Sequence, residues 1–146
     1  MTHQEQPEFD AIRELSLEQH PEGGWYRRTY TASDAVTTPT GERPAATLIH
    51  FWLRAGERSD WHVVVSDEIW LWHGPGELRL ELGGTGDQPR KTDDGGLLAS
   101  PGTPHARQQF LVPAGCWQRT VPGDADVLVS CLVTPGFDFA DWRLAD

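Results

Sequence analysis

The hydrophobic and polar positions of this chain alternate in short runs, with the period of two that is typical of β-strands. In the clearest run, ELRLEL at 77–82, Leu78, Leu80 and Leu82 share one face. Further β-prone runs lie at 25–31, 46–53, 61–65, 68–72, 108–113, 116–121 and 126–133. Glycine, proline and aspartate bound many of these runs, as expected at strand ends. The pattern therefore predicts a protein made mostly of short strands.

One amphipathic helix is predicted before the strands, over residues 8–18, where apolar side chains recur near a helical period. The sequence HPEGG at 20–24 ends it, because proline and glycine both break helices. The tail, residues 135–146, is rich in aromatic side chains, and we expect it to form a helical turn against the body of the protein. We expect a single domain over residues 1–146, with a barrel at about 24–134.

Many short strands and one leading helix predict an antiparallel β-sandwich or β-barrel. Such a fold carries its chemistry on side chains that point inward, so the parity of a residue along its strand matters. If Glu68 points inward, Trp70 and Trp72 point inward as well. On a later run, Cys116 and Gln118 share one face by the same rule.

The net charge of −10 narrows the range of partners. An acidic surface repels phosphate backbones and anionic lipids, so we expect neither nucleic acid nor a membrane as partner. The N-terminal sequence MTHQEQPEFD is polar and acidic, unlike a signal peptide. With only two cysteines, Cys116 and Cys131, we expect reduced thiols in a cytoplasmic protein.

A spaced motif begins at Gly56. Five residues separate this glycine from His62, and Val64, Glu68 and then Gly74 follow. The segment resembles the first cupin motif, in which a glycine precedes His-x-His, a glutamate and a second glycine. Val64 stands where that motif has its second histidine.

A second motif, PAGCWQ at 113–118, resembles the second cupin motif, Pro-x-Gly-x-x-His, with Gln118 in place of the histidine. Four blocks also resemble the signature of the cupin-5 family, or domain of unknown function 985: HPEGGWYRRTY, SDEIW, VPAGCWQ and TPGFDF. The blocks extend over nearly the whole chain. The resemblance implies an RmlC-like jelly roll, usually found as a homodimer, in a family with no settled activity. An edge strand near the N-terminus is where we expect a second copy to pair.

The resemblance raises the question of a metal. A full cupin site supplies three imidazoles and one carboxylate, which suits Fe(II), Mn(II), Ni(II), Cu(II) or Zn(II). Here His62 and Glu68 are typical ligands, Gln118 offers a neutral amide oxygen, and Val64 offers none. Three other histidines would add a ligand if the fold turned one inward: His50, His73 and His105. We expect no tightly bound metal; a divalent transition metal at His62, Glu68 and Gln118 is the alternative.

Without a metal, His62 and Glu68 would be a polar pair inside an apolar barrel. Burial raises the pKa of a carboxyl group and an adjacent imidazolium lowers it, as general acid–base catalysis requires. We expect His62 to be the base and Glu68 to orient or protonate it. The RmlC-type sugar epimerases, which the fold resembles, work without metal through an acid–base pair, although a shared fold does not fix function.

Several further residues are candidates for contact with a substrate. We expect Gln118 to hydrogen-bond it, and Trp70 and Trp72 to wall the pocket, unless these tryptophans only fill the core. Cys116 adjoins the second motif, but no Cys–His pattern accompanies it, so a buried structural thiol is the alternative.

Glu22 lies in the HPEGG turn and is either a pocket residue or part of a simple connector. Arg27 and Arg28 are adjacent on a strand, so only one can face a ligand; Arg28 is the candidate, since a guanidinium binds carboxylate or phosphate well. His73 has outward parity and is expected at the surface or an interface. His105 follows a proline-rich loop and is a candidate for the cavity mouth.

These patterns leave three functions open. The one we favour is binding of a small polar or carbohydrate-like molecule, with metal-independent isomerisation or epimerisation. A metal-dependent oxygenase or isomerase is the second. A ligand-binding or sensing module without catalysis is the third.

Overall fold

The computed structural model describes residues 9–146, so His3 lies outside the described residues. This part of the chain contains helix α1 (Ala11–Glu14) and a 3₁₀ turn (Phe139–Asp141). Neither has the length or the apolar character of a membrane span. The strands are β1 (Glu18–Gln19), β2 (Trp25–Thr31), β3 (Ala35–Thr38), β4 (Gly41–Pro44), β5 (Thr47–Leu53), β6 (His62–Val64), β7 (Asp67–Pro75), β8 (Leu78–Leu82), β9 (Gly96–Leu98), β10 (Ala106–Arg107), β11 (Gln109–Val112), β12 (Gln118–Val121), β13 (Val127–Thr134) and β14 (Trp142–Leu144).

Two six-stranded sheets form the body of the protein. The first has the order β1-β2-β5-β13-β7-β11, and the second has the order β10-β9-β8-β12-β6-β14. Pairing is antiparallel, except between β9 and β10, and β3 and β4 form a separate hairpin. The predicted jelly roll is confirmed. Within residues 9–146 the two sheets share no paired strands, so it is an open sandwich and not the closed barrel of the alternative prediction.

The core lies between the two sheets and takes side chains from both. Leu78, Leu80 and Leu82 of β8 are buried, as the alternation in the sequence predicts. They belong to one cluster with Phe51 of β5 and Trp70 of β7. Because successive residues of a strand face opposite sides, the same alternation that fills this core sets which side chains can reach a cavity inside it.

Helix α1 is shorter than predicted, with four residues instead of the stretch 8–18. Ser16 has a left-handed backbone, φ 53°, and the N–H of Leu17 donates back to the carbonyl of Ile12 at 2.8 Å. This is a Schellman closure, in which a left-handed residue satisfies the last carbonyls and ends the helix. The apolar spacing continues past this turn, and for that reason the sequence pattern overestimates the length of the helix.

The outer face of the first sheet is only partly covered by α1. Ala11 and Leu17 pack on Trp52, which alternates outward on β5. At the far side of the same face, Tyr30 and Leu111 remain 55% and 53% exposed. The helix therefore covers one half of this face and leaves the other half accessible.

The tail crosses the open end of the sandwich. We call residues 136–139 the strap. Within it, the N–H of Phe137 donates to Thr47 Oγ1 at 2.9 Å. Beyond it, the buried Asp141 carboxylate accepts from Arg43 Nε at 2.8 Å, which fastens the tail to the β3–β4 hairpin. The predicted helical turn corresponds to the 3₁₀ turn here, and β14 then pairs with β6.

Candidate functional site

A cavity of about 240 Å³ lies between the two sheets, beneath the strap. Pockets for drug-sized ligands measure roughly 300–1,000 Å³, so this cavity suits a smaller molecule. Its aromatic lining is Tyr26, Phe51, Trp70, Phe137 and Phe139. Its ionisable lining is Glu18, His20, Glu22, Arg28, His62 and Glu68.

His62 is the first residue of β6 and is 1% exposed. Its Nδ1 lies 2.7 Å from the carbonyl oxygen of Asp60, and because a carbonyl can only accept, Nδ1 carries a proton. Its Nε2 points to Glu22 Oε2 at 3.3 Å. Burial is the main cause that lowers the pKa of His62 to about 4, so the ring is neutral near pH 7.

Glu22 lies in the turn between β1 and β2 and is 5% exposed. Its own N–H donates to His20 Nδ1 at 3.1 Å, and its Oε1 accepts from Trp142 Nε1 at 3.3 Å. Burial, and next the charge of Glu68, raise the pKa of this carboxyl well above its usual value. Burial thus favours the neutral form of Glu22.

Glu68 lies near the start of β7 and is 7% exposed. Its Oε1 accepts from Gln118 Nε2 at 2.6 Å, and Gln118 Oε1 accepts from Trp70 Nε1 at 2.8 Å. Burial raises the pKa of Glu68 to about 7, against the hydrogen bonds from Gln118 and Cys131 that favour its charged form. Gln118 thus lies behind Glu68 and fixes its position, instead of facing a ligand as predicted.

These contacts determine where the protons are. His20 Nδ1 accepts a backbone N–H, and burial lowers its pKa to about 3, so His20 is neutral too. Neutral His62, with its proton on Nδ1, can only accept at Nε2, so a hydrogen bond between the two side chains requires a proton on Glu22 Oε2. Burial favours the neutral form of both groups. The predicted pairing of His62 with Glu68 is wrong, because His62 is paired with Glu22.

Two predicted site residues lie away from the cavity. Trp72 points inward like Trp70 but lies two residues further along β7. There it packs against the core and donates to the carbonyl of Gly76 at 2.8 Å. Parity fixes the face of the sheet to which a side chain points, but not how far that side chain lies from the cavity. Cys116 precedes β12, which begins at Gln118, so strand parity does not apply to it; the thiol packs in the core.

Of the adjacent arginines, Arg28 lies at the cavity and Arg27 on the outer face. Arg28 Nη2 donates to the carbonyl of Phe137, at 2.8 Å, and so meets the strap. Three histidines lie elsewhere. His50 and His73 are on the outer face, with ring centroids 6.5 Å apart, and His105 is on an exposed loop, so the prediction of His105 at the mouth is wrong.

Sequence reasoning missed His20, Cys131 and the strap as parts of the cavity. His20 stands two residues before Glu22 in the HPEGG block, which is the one signal that could have indicated it. Cys131 pairs with Trp70 across β13 and β7, and this register is visible only in the folded sheet. The aromatic residues of the strap were expected to pack on the body, but not over a binding site.

The donor set does not fit a four-ligand metal centre of the cupin kind. Gln118 uses its amide oxygen for Trp70 and turns its amide nitrogen to Glu68, and Val64 has no donor atom. In the described part of the chain, no three His, Cys, Asp or Glu side chains are arranged to hold a metal ion. His62 Nε2, the atom that a metal would need, is hydrogen-bonded to Glu22.

The substitution Glu68→Gln should change how the stability of the protein depends on pH. Folding raises the pKa of this carboxyl from 4.5 to about 7, so the folded protein keeps a proton that the unfolded chain loses. The stabilising contribution of protonated Glu68 is complete below about pH 4.5 and is lost as the pH rises through about 7. Between these limits wild type should lose up to about 3 kcal/mol relative to the variant, measured by urea unfolding. Parallel stability curves for the two proteins would contradict this assignment.

The metal content of the purified protein is a second test. Protein prepared without added metal should carry well under one equivalent, because two of the four motif positions supply no free ligand atom. Elemental analysis after dialysis measures this. About one equivalent of Fe, Mn, Ni, Cu or Zn surviving dialysis would show that the side chains rearrange to bind it.

The fold and sequence match known proteins. A protein from Shewanella oneidensis has a TM-score of 0.81 and 35% identity, over 96% of this chain and 85% of that one. A hypothetical protein from Leishmania major has a TM-score of 0.79 and 29% identity, over 91% and 84% of the two chains. Oxalate decarboxylase from Bacillus subtilis, at 13% identity and a TM-score of 0.60, shares the fold alone, over 86% of this chain and 29% of its own length.

No match was found among the curated proteins. Residues 10–145 match the family described as Cupin superfamily (DUF985). This span includes both cupin-like motifs and the HPEGG turn that carries His20 and Glu22. The chain therefore belongs to the cupin-5 family of the cupin superfamily.

Proposed function

We propose that the protein binds a small polar molecule in the cavity and catalyses its isomerisation or epimerisation by acid–base chemistry, without a metal. One observation carries this proposal. Two buried carboxyl groups, Glu22 and Glu68, line the same cavity, and burial raises the pKa of Glu68 to about 7 and that of Glu22 well above its usual value. Pairs of titratable groups whose environments separate their proton affinities are typical of acid–base sites.

The hydrogen bonds assign a role to each carboxyl group. Glu68 is the base, because its pKa of about 7 leaves a large ionised fraction at neutral pH. Glu22 is the proton store, since burial favours its neutral form. In the reaction Glu68 takes a proton from the ligand, and Glu22 returns one, at a second position for an isomerisation or on the opposite face of the same carbon for an epimerisation. Transfer of a proton from Glu68 back to Glu22 through water then restores both groups.

This assignment differs from the role expected for His62. Its Nε2 faces Glu22 and its Nδ1 donates to the carbonyl of Asp60, so His62 positions Glu22 and is not the primary base. Trp70 supports Glu68 indirectly, because its indole N–H orients the Gln118 amide. The site is thus a relay of positioned groups in which the protein supplies both the acid and the base.

Proton exchange at carbon is the direct test of this function. Wild-type protein is incubated in D₂O with a panel of small polar compounds, and loss of C–H signals is followed by proton NMR. For at least one compound the exchange should be catalysed. Glu68→Gln should lower that rate by roughly 10²–10⁴-fold, the usual contribution of a general base. His62→Ala should lower it as well, with an unchanged near-UV circular dichroism spectrum.

The matched control is Glu77→Gln, which removes the same charge at an exposed position. Its exchange rate should equal that of wild type. Binding of a compound without any proton exchange would contradict the enzyme proposal and favour a binding module. Exchange that appears only after a divalent metal is added would favour the metal-dependent alternative.

We also propose that two copies associate through the accessible half of the first sheet's outer face. Five apolar side chains form one continuous row across the strands, in the order Tyr30, Leu48, Leu132, Ile69 and Leu111. An isologous dimer sets such a row against itself and removes it from water. The N-terminal edge strand expected to pair, β1, has only two residues and offers little for strand pairing.

The substitution Leu111→Glu should convert the dimer to the 16.3 kDa monomer, because it places a charge in the apolar row. Sedimentation velocity at tens of micromolar measures the change. Val65→Glu is the control, since Val65 is equally exposed, at 52%, on a different surface. It should leave the dimer intact. Wild-type protein that sediments as a monomer would rule out the proposed contact.

A further inference from the structure

The hydrogen-bonding groups on the floor of the cavity are mostly acceptors. We call the buried lining residues Glu22, His62 and Glu68 the floor. Glu22 Oε2 faces His62 Nε2 at 3.3 Å, so a proton on this oxygen would be directed at His62, and the His62 Nδ1 proton is directed at the carbonyl of Asp60. Neither is available to a ligand in the resting site. A ligand that reaches the floor therefore meets acceptor atoms first.

Three other N–H donors around the floor are engaged, whereas His20, whose Nδ1 accepts, carries its proton on Nε2 and is a further donor on the lining. Trp70 Nε1 donates to Gln118, and Gln118 Nε2 donates to Glu68 Oε1. Trp142 Nε1 donates to Glu22 Oε1. An ionised carboxylate has about four lone-pair sites, and Gln118 and Cys131 each occupy one of those on Glu68. The capacity that remains at Glu68 calls for hydrogen-bond donors from the ligand.

The charges around the cavity favour a positive ligand group at the floor. Burial lowers the pKa of both histidines and so favours their neutral forms, and the Arg28 guanidinium of the lining donates through Nη2 to the Phe137 carbonyl of the strap. An anionic group beside Glu68 would face a like charge in a medium of low dielectric constant, which costs more than it does in water. A cationic group would gain from the same field.

Aromatic side chains line the path between the strap and the floor. Phe137 and Phe139 belong to the strap, and Tyr26 and Trp70 lie on the first sheet. Phe51 and Trp70 are packed edge to face, with centroids 5.8 Å apart. Aromatic ring faces attract cations and pack well against alkyl groups.

We propose that the ligand enters with a cationic hydrogen-bond donor, an alkylammonium or amidinium group, directed at the Glu68 carboxylate, and that its apolar part lies against the aromatic walls. This inference rests on the proposed function, in that the cavity is taken to be the ligand site. It adds the chemical class of the ligand, which the acid–base assignment alone does not supply. A cation beside Glu68 also favours the ionised carboxylate that acts as base.

Three probes of one shape separate charge from size. Cyclohexylamine, cyclohexanol and cyclohexanecarboxylate share a ring small enough for the cavity and differ in one group. Their affinities for the full-length protein are measured by isothermal titration calorimetry at neutral pH. The amine should bind roughly tenfold or more tightly than the alcohol, because a charge-assisted hydrogen bond and cation–π contacts both favour it. The carboxylate should bind more weakly than either.

Two variants test whether Glu68 causes the preference for the amine. Glu68→Gln should remove the advantage of the amine over the alcohol while cyclohexanol still binds, so a folded cavity is retained. Glu77→Gln, with the same change of net charge at an exposed position, should keep the advantage. Alcohol or carboxylate binding as tightly as the amine would overturn the ligand class but not the ligand site. Failure of all three probes to bind wild-type protein would overturn both.

Discussion

Carboxyl groups that are removed from water must find their hydrogen bonds within the protein, and the cavity floor is organised around this requirement. Glu22 belongs to the turn that leads into the first sheet, yet its partners come from elsewhere. His62 begins a strand of the second sheet, and Trp142 belongs to the tail. The backbone carbonyl of Glu22 also accepts from the N–H of Asp60 at 2.7 Å. One buried side chain and its backbone thus hold three parts of the chain together at the floor.

The replaced motif positions have acquired other uses in the fold. Val64, where the second histidine would stand, lines the cavity with an apolar surface. Gln118, where the third histidine would stand, connects the Trp70 indole to the Glu68 carboxylate. An amide can donate and accept at once. A neutral imidazole in the same place would also have one donor nitrogen and one acceptor nitrogen, but its ring would fix their directions. Both positions therefore serve the cavity, one through its apolar surface and the other through hydrogen bonds.

The sequence predicted the fold well and the site in part, for physical reasons that differ. Alternation along ELRLEL placed Leu78, Leu80 and Leu82 in the core because strand parity is local. The same rule put Trp72 inward but could not say how deep it lies. Contacts such as that between Glu22 and His62 join residues forty positions apart, and no local periodicity in the sequence can predict them. The resemblance of HPEGG to a family block pointed to Glu22, but only the hydrogen bonds showed which atom holds the proton.

The tail has a consequence for the timing of ligand exchange. The strap lies over the cavity, and the ion pair between Arg43 and Asp141 fastens the segment that follows it to a hairpin outside the two main sheets. Both side chains are largely buried, and breaking one partner of such a pair leaves an uncompensated charge, so the pair opposes displacement of the tail. A ligand that passes under the strap then meets a barrier set far from the groups that move protons. A change in the β3–β4 hairpin alone can therefore alter the residence time of a ligand in the cavity, without altering the chemistry of the floor.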